Sequence, residues 1–105
     1  INRGGYKIFS VEVENHLLAR EGVVEAGVVG VPCPVLGERV HAFVVCSDPG
    51  LDEAALRDWC AASLADYKVP ETIRFESEPL PRNANGKLMK RVLRERLLDS
   101  DRANA

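Results

Sequence analysis

Two apolar segments joined by a short linker constrain the fold of this chain more than any other feature. The first, Val23–Val31, is rich in valine and is followed by Pro32, and the second runs over Arg39–Cys46. Such runs, bounded by proline and glycine, are typical of strands. A parallel crossover needs about a dozen or more residues, and the linker over residues 32–38 is shorter than that. The two strands are therefore predicted to pair in antiparallel fashion.

Three other segments have helical periodicity. Ser10 is a candidate N-cap for a helix that runs to about Glu21, and Asp52 or the residue before it opens a second helix. A third helix is predicted from Leu88, with a frayed tail after Asp99. The positions expected to face the sheet in the second and third helices are Ala55, Leu56, Trp59, Cys60 and Leu64, and Leu88, Met89, Val92, Leu93 and Leu97.

The order of these elements predicts the fold class. Glu71–Glu76 alternates apolar and polar residues as a third strand, and residues 3–9 read as a glycine turn running into a short extended segment. We expect an α+β fold: a small, mainly antiparallel three-stranded sheet with packed helices, plus a short N-terminal β-turn segment. The length of 105 residues fits a single domain, 1–105.

Composition bounds the functional class. With 14 Lys and Arg against 16 Asp and Glu, the formal net charge is −2, which does not indicate a nucleic-acid surface. No apolar run approaches the roughly 20 residues of a membrane-spanning helix, and no signal-peptide pattern is present. The chain begins with Ile1 rather than Met, in what reads as a loop or strand. We therefore expect it to be part of a longer polypeptide.

The cysteines and histidines suggest no metal or nucleophile site. Three cysteines without a zinc spacing favour unbridged thiols in a reducing, cytoplasmic environment. Cys33, between two prolines, is predicted to be a loop residue rather than a nucleophile. His16 is expected at the surface or core boundary, and His41 packed or at the rim of the sheet.

The stretch Pro81–Lys87 is the strongest candidate for chemistry. Asn85 and Gly86 tolerate the backbone of a tight turn, so this stretch can present Lys87 outward, just before an amphipathic helix. A basic surface turn has the same composition, so the tripeptide alone does not decide between the two interpretations.

An ordered set of motifs resembles the C-terminal domain of the adenylate-forming (AMP-binding) enzymes. This family comprises acyl- and aryl-CoA synthetases, adenylation domains of nonribosomal peptide synthetases and firefly luciferases. The resemblance covers nearly the whole chain. The matching segments are residues 4–8, 12–14, 28–32, 37–38, 42–44, 67–70, 80–82 and 86–87.

The resemblance implies a two-step reaction in a larger protein. A carboxylic acid and Mg-ATP give an acyl adenylate and pyrophosphate, and the acyl group then passes to a thiol, usually that of CoA. The implied partner is a large N-terminal AMP-binding domain of the same chain, over which this mobile lid domain takes two poses. One pose brings Lys87 into the adenylation site, and the other brings the glycine loop, Gly4 and Gly5, to the pantetheine channel. Alone, the fragment would be inactive.

Further roles follow from the same resemblance. Arg3, Lys90 and Arg91 are candidates to meet the CoA phosphates, and acetylation of Lys87 by a lysine acetyltransferase, reversed by a deacetylase, would switch adenylation off. Asn85 stands where the family commonly has Ser or Thr. The hinge, the ATP-phosphate loop, the acyl pocket and the Mg²⁺ site of the family lie outside these residues.

Two alternatives remain at this point. The chain could belong to an adenylation domain that loads a carrier protein instead of free CoA. It could also be a non-enzymatic interaction module, because Arg82–Arg96 contains six basic residues and one acidic residue.

Overall fold

The computed structural model describes residues 1–3, 5–35 and 37–103, without the side chains of Arg3, Tyr6 and residues 100–103. These residues form five strands, three α-helices and a short 3₁₀ turn. In chain order the elements are β1 (Asn2–Arg3), β2 (Tyr6–Lys7), α1 (Ser10–Leu18), β3 (Val23–Cys33), β4 (Gly37–Cys46), α2 (Glu53–Ala61), the 3₁₀ turn (Asp66–Lys68), β5 (Thr72–Phe75) and α3 (Lys90–Ala103). None of the helices in the described ranges is long and apolar enough to span a bilayer.

The β3–β4 hairpin is the centre of the sheet and confirms the predicted antiparallel pairing. Its register runs from Glu25 opposite Val45 to Cys33 opposite Gly37. Strand β3 continues through Pro32, where the strand was predicted to stop. Proline is tolerated there because, among the described strands, β3 pairs only with β4 and so lies at the edge. Cys33 is consequently a buried strand residue, and its predicted place in a loop is wrong.

The third principal strand gives the sheet a mixed character. β5 pairs with β4 in parallel, with His41 opposite Thr72 and Val44 opposite Phe75. The chain between β4 and β5 includes α2, which makes a crossover connection long enough for parallel pairing. The α+β fold is confirmed, and the sheet differs from the expected mainly antiparallel arrangement in this one pairing.

Both faces of the sheet are covered. Successive residues of β3 and β4 therefore enter two separate apolar clusters, which explains why these strands read as continuous apolar runs. The cluster under α1 and α2 includes Val13, Leu17, Val28, Ala42, Val44, Leu56 and Ile73. The cluster under α3 includes Val29, Phe43, Leu80, Leu93 and Leu97.

The helix boundaries differ from the predicted ones. Helix α1 ends at Leu18, before the expected Glu21, and its N-cap is Phe9. Ser10 does not cap it because Ser10 is already the first residue of the helix, and its hydroxyl accepts a hydrogen bond from the Lys90 ammonium at 2.7 Å. Helix α3 begins at Lys90 and continues to Ala103, beyond the predicted frayed end. Asp52 does cap α2, since its carboxylate accepts from the Ala55 N–H at 2.8 Å.

His16 and Trp59 join α1 to α2. The Trp59 indole N–H donates to the His16 carbonyl oxygen at 2.8 Å, and the two rings stack with centroids 5.3 Å apart. Both residues are half-buried, and Trp59 packs against the first cluster. The boundary position predicted for His16 is confirmed.

Candidate functional site

Residues 81–89, which we call the lysine hairpin, fold back on themselves before α3. The Met89 N–H donates to the Pro81 carbonyl oxygen at 2.9 Å, and Arg82 and Leu88 face each other as an isolated antiparallel bridge. Leu88 packs against the cluster under α3. The hairpin is therefore fixed to the domain at its base.

The tip of the hairpin is closed by Asn83. The Asn83 side-chain oxygen accepts from the Asn85 N–H at 2.9 Å and from the Lys87 N–H at 3.0 Å. Gly86 has a φ of +82°, a conformation that glycine adopts without steric cost. Gly86 makes the expected turn, and Lys87 begins the returning arm, with its carbonyl oxygen accepting from the Asn83 N–H.

Lys87 lies at the surface of the domain. The residue is exposed, and within the described residues its ammonium has neither a hydrogen-bond acceptor nor an ion-pair partner. An exposed cation on a fixed backbone can enter a site on another body without first breaking an internal ion pair. This is the arrangement that a lysine acting on an external anion requires.

Two residues that the sequence reasoning did not assign to the site hold the hairpin in place. The Glu25 carboxylate accepts from the Leu80 N–H at 3.1 Å and from the Arg82 guanidinium at 3.1 and 3.3 Å. The same guanidinium donates to the Gly86 carbonyl oxygen at 2.8 Å. Glu25 is the one acidic residue in the sequence of β3, which was the available signal.

Lys90 occupies a different environment from Lys87. Its ammonium lies 2.9 Å from the Glu14 carboxylate and donates to the Ser10 hydroxyl at 2.7 Å. Glu14 is only 8% exposed. The expected CoA-phosphate ligand is thus already in an internal ion pair that joins the start of α3 to α1.

Arg91 faces solvent. Its side chain is 82% exposed, and its closest acid, Glu95, is 3.9 Å away on the same helix. Such a pair contributes little, so the guanidinium remains available to an external anion.

The other predicted site residues lie in the N-terminal segment, residues 1–8. Gly5 has a φ of +87°, and no atom lies within 4 Å of the position that a Cβ would take. An open cavity of about 350 Å³ beside it is lined by Ile1, Asn2, Gly5, Lys7 and Glu38. Gly4 and the side chain of Arg3 lie outside the described residues; the described part of this group, Gly5, lies at the cavity.

Cys46 and Cys60 do not offer a nucleophile. Burial raises the pKa of the Cys60 thiol to about 11, and burial followed by the nearby Asp48 carboxylate raises the pKa of Cys46. Both thiols are therefore protonated at neutral pH, whereas a nucleophilic cysteine needs its thiolate. Over the described residues, no group of three or more His, Cys, Asp or Glu side chains could hold a metal ion.

Comparison with known proteins gives a consistent set of similarities. The family model for the AMP-binding enzyme C-terminal domain matches residues 12–87. The chain is 46% identical over 94 residues to the 3-[(3aS,4S,7aS)-7a-methyl-1,5-dioxo-octahydro-1H-inden-4-yl]propanoyl:CoA ligase of Rhodococcus jostii (strain RHA1), covering 88% of this chain and 18% of that protein. It is 40% identical over 91 residues to the long-chain-fatty-acid–CoA ligase of Escherichia coli O157:H7, covering 87% and 16%.

Solved structures agree with these relatives. Apo MatB from Rhodopseudomonas palustris superposes with a TM-score of 0.87 at 39% identity, over 94% of this chain and 20% of that one. A fatty acyl CoA synthetase from Mycobacterium tuberculosis superposes with a TM-score of 0.84 at 36% identity, over 91% and 19%. The chain thus spans less than one fifth of the length of the curated relatives described above.

Proposed function

Because the chain belongs to the family of AMP-binding enzyme C-terminal domains, we propose that it is the C-terminal domain of an ATP-dependent acyl-CoA synthetase. The parent enzyme would join a carboxylic acid to CoA, with ATP converted to AMP and pyrophosphate. Ligases that are relatives of this chain support the choice of CoA as acceptor. Mg²⁺ would accompany ATP, at a site in the large N-terminal domain that we propose as the partner of this one.

The observation that carries the proposal is the exposed ammonium of Lys87 on a hairpin with a fixed backbone. In the adenylation step, the carboxylate oxygen attacks the α-phosphorus of ATP while the bond to pyrophosphate breaks. Negative charge accumulates at the reacting centre as the substrate carboxylate approaches the triphosphate of ATP. A positioned ammonium offsets this charge, and the loss of one preorganised donor of this kind typically lowers the rate by about 10²–10³-fold.

The thiol step would use the N-terminal segment. We propose that Gly5, with Gly4, lines the channel for the pantetheine arm, since the open space around Gly5 leaves room for a narrow chain. We propose that Arg3 and Arg91 contact the phosphates of CoA. We do not propose this role for Lys90, because its ammonium already donates to Glu14 and Ser10.

We also propose two properties of the parent enzyme. It would act in the cytoplasm, consistent with three cysteines that form no disulfide with one another. Acetylation of the exposed Lys87 side chain would remove its charge and stop adenylation without disturbing the fold.

The test is Lys87→Ala in the full-length parent enzyme. We expect acid-dependent pyrophosphate–ATP exchange to fall by about 10²–10³-fold, because the developing charge loses its counter-charge. Thioester formation from supplied acyl adenylate is expected to be unchanged. Arg94→Ala, at an exposed arginine to which no role is assigned, is the control for loss of a surface cation and should leave exchange within about twofold. An equal loss of both half-reactions in Lys87→Ala would overturn the assignment.

The carrier-loading alternative is tested in the same full-length enzyme. A carrier-loading enzyme would transfer the acyl group to a carrier protein and not to free CoA, so an assay with each acceptor distinguishes it from a CoA synthetase. The basic interaction module is not favoured by the contacts of residues 82–96. Of their six basic residues, three pair with acids on other parts of the domain, namely Arg82, Lys90 and Arg96.

A further inference from the structure

We infer that Glu25 and Arg82 are positioning residues for adenylation, which act by fixing the peptide group that precedes the Lys87 side chain. The inference rests on the proposed function of Lys87. It assigns a role to a contact between β3 and the lysine hairpin that joins residues 57 positions apart in the chain.

The geometry begins at β3. The Glu25 side chain is 16% exposed and presents one carboxylate oxygen to the Leu80 N–H and the other to Arg82. Because β3 is paired in the sheet, the backbone from which the Glu25 carboxylate extends is fixed. The carboxylate therefore sets the position of the chain as it enters the hairpin and of the guanidinium next to it.

Arg82 transmits this position to the tip. Its second terminal nitrogen donates to the Gly86 carbonyl oxygen, and the Asn83 side chain accepts from the Lys87 N–H. These two atoms belong to the same peptide group. Its C=O and its N–H are thus both held, by side chains on the opposite arm of the hairpin.

Such restraint matters at this peptide because glycine has more intrinsic backbone freedom than any other residue type in the hairpin. Gly86 has no side chain, and an added Cβ would meet no atom within 4 Å. Rotation about its backbone would swing the origin of the Lys87 side chain. A displacement of about 1 Å at a reacting group can cost about 10²-fold in rate, whereas an exposed ion pair contributes little to stability.

The experiment compares two arginines in the full-length parent enzyme. Arg82→Met removes the forked donor and keeps an unbranched side chain about as long as the aliphatic stem of arginine, while Arg82→Lys keeps the charge with a single ammonium in place of the fork. Arg57→Met is the matched control, since Arg57 also pairs with a carboxylate and donates to a carbonyl oxygen, and its side chain is 45% exposed against 43% for Arg82. Glu25→Gln tests the other end of the contact.

We expect Arg82→Met to lower kcat for pyrophosphate–ATP exchange about tenfold or more, with KM for ATP within about twofold. Arg82→Lys and Glu25→Gln should give smaller decreases. Thioester formation from supplied acyl adenylate should not change in any variant, and Arg57→Met should match the wild type. Thermal unfolding is measured throughout, and Arg82→Lys carries the test if Arg82→Met does not fold. Equal effects at Arg82 and Arg57, or equal loss of both half-reactions, would overturn the inference.

A double substitution separates this inference from the proposal on which it rests. If Arg82 acts through Lys87, adding Arg82→Met to Lys87→Ala should produce no further loss of exchange. Independent, multiplying losses would contradict a positioning role. If Lys87→Ala itself leaves exchange intact, the proposed function fails; if only the Arg82 variants leave it intact, this inference fails alone.

Discussion

The lysine hairpin and the N-terminal segment, to which we assign the two half-reactions, are held to the domain in different ways. The hairpin is closed by backbone bonds at its base and by Asn83 and Arg82 at its tip. The N-terminal segment has two strands of two residues each. It is closed by reciprocal bonds between Ile1 and Ile8, and within the described residues β1 pairs with β4 at one register position, Arg3 opposite Gly37.

The difference follows from what each segment has to supply. Lys87 has to bring one charged atom to a defined place, so its backbone must be fixed from several directions. Gly5 has no side chain and so leaves a passage open, and an open passage does not require the backbone to be held at as many points. Three measurements can break or sharpen this comparison.

The largest effect is expected from the contact between the two helices that follow these regions, α3 after the hairpin and α1 after the N-terminal segment. Lys90→Met leaves the nearly buried Glu14 carboxylate without its cation and should lower the free energy of unfolding by about 2–3 kcal/mol. Urea unfolding of this chain measures the change. Arg91→Met is the control, expected within about 0.5 kcal/mol because its side chain is 82% exposed. Similar values for the two variants would show that Lys90 is not part of the support of either segment.

A matched pair of glycine substitutions gives the next effect. Gly5 and Gly86 have nearly the same φ, +87° and +82°, and neither has an atom within 4 Å of a built Cβ. Gly5→Ala and Gly86→Ala should therefore each cost about 1–2 kcal/mol of stability through backbone strain alone. In the parent enzyme, Gly86→Ala should slow pyrophosphate exchange and Gly5→Ala should slow thioester formation, each about tenfold. If both variants slow the same half-reaction, the division of labour between the segments is wrong.

The smallest effect concerns side chains that hold each segment. Asn83→Ala removes an acceptor from two N–H groups and should cost about 1 kcal/mol, with faster hydrogen exchange at the Asn85 and Lys87 amides. In the N-terminal segment, Glu38→Ala removes the acceptor of one exposed N–H, that of Asn2, and should cost about half as much. A larger loss at Glu38 than at Asn83 would reverse the comparison.

Local sequence signals predicted most of the elements. The β3 and β4 strands, the start of α2 at Asp52 and strand β5 were predicted from neighbours in sequence, and each of these elements is present in the structure. The alternation in β5 is only partly present, because Ile73 is buried and Phe75 is exposed. The parallel pairing of β5 was also accessible, because a helix between two strands provides the crossover that parallel pairing needs.

The side-chain contacts that hold the candidate site in place could not be predicted from neighbouring residues in the sequence. Lys90 reaches Ser10 across 80 positions, and Arg82 reaches Glu25 across 57. Each of these charged groups had nearer partners in sequence. Which partner is chosen depends on how the helices lie on the sheet, and that is a property of the assembled core.

Strand β3 lies at the edge of the described sheet, and this position affects how the domain behaves in solution. Long, regular strand edges attract strands from other molecules and lead to aggregation. Among the described strands, β3 is paired on one side only, but its edge is interrupted by Pro32, by an irregularity between Val23 and Glu25, and by the Glu25 charge itself. The carboxylate that anchors the lysine hairpin therefore also helps to keep neighbouring copies from adding a strand to the sheet.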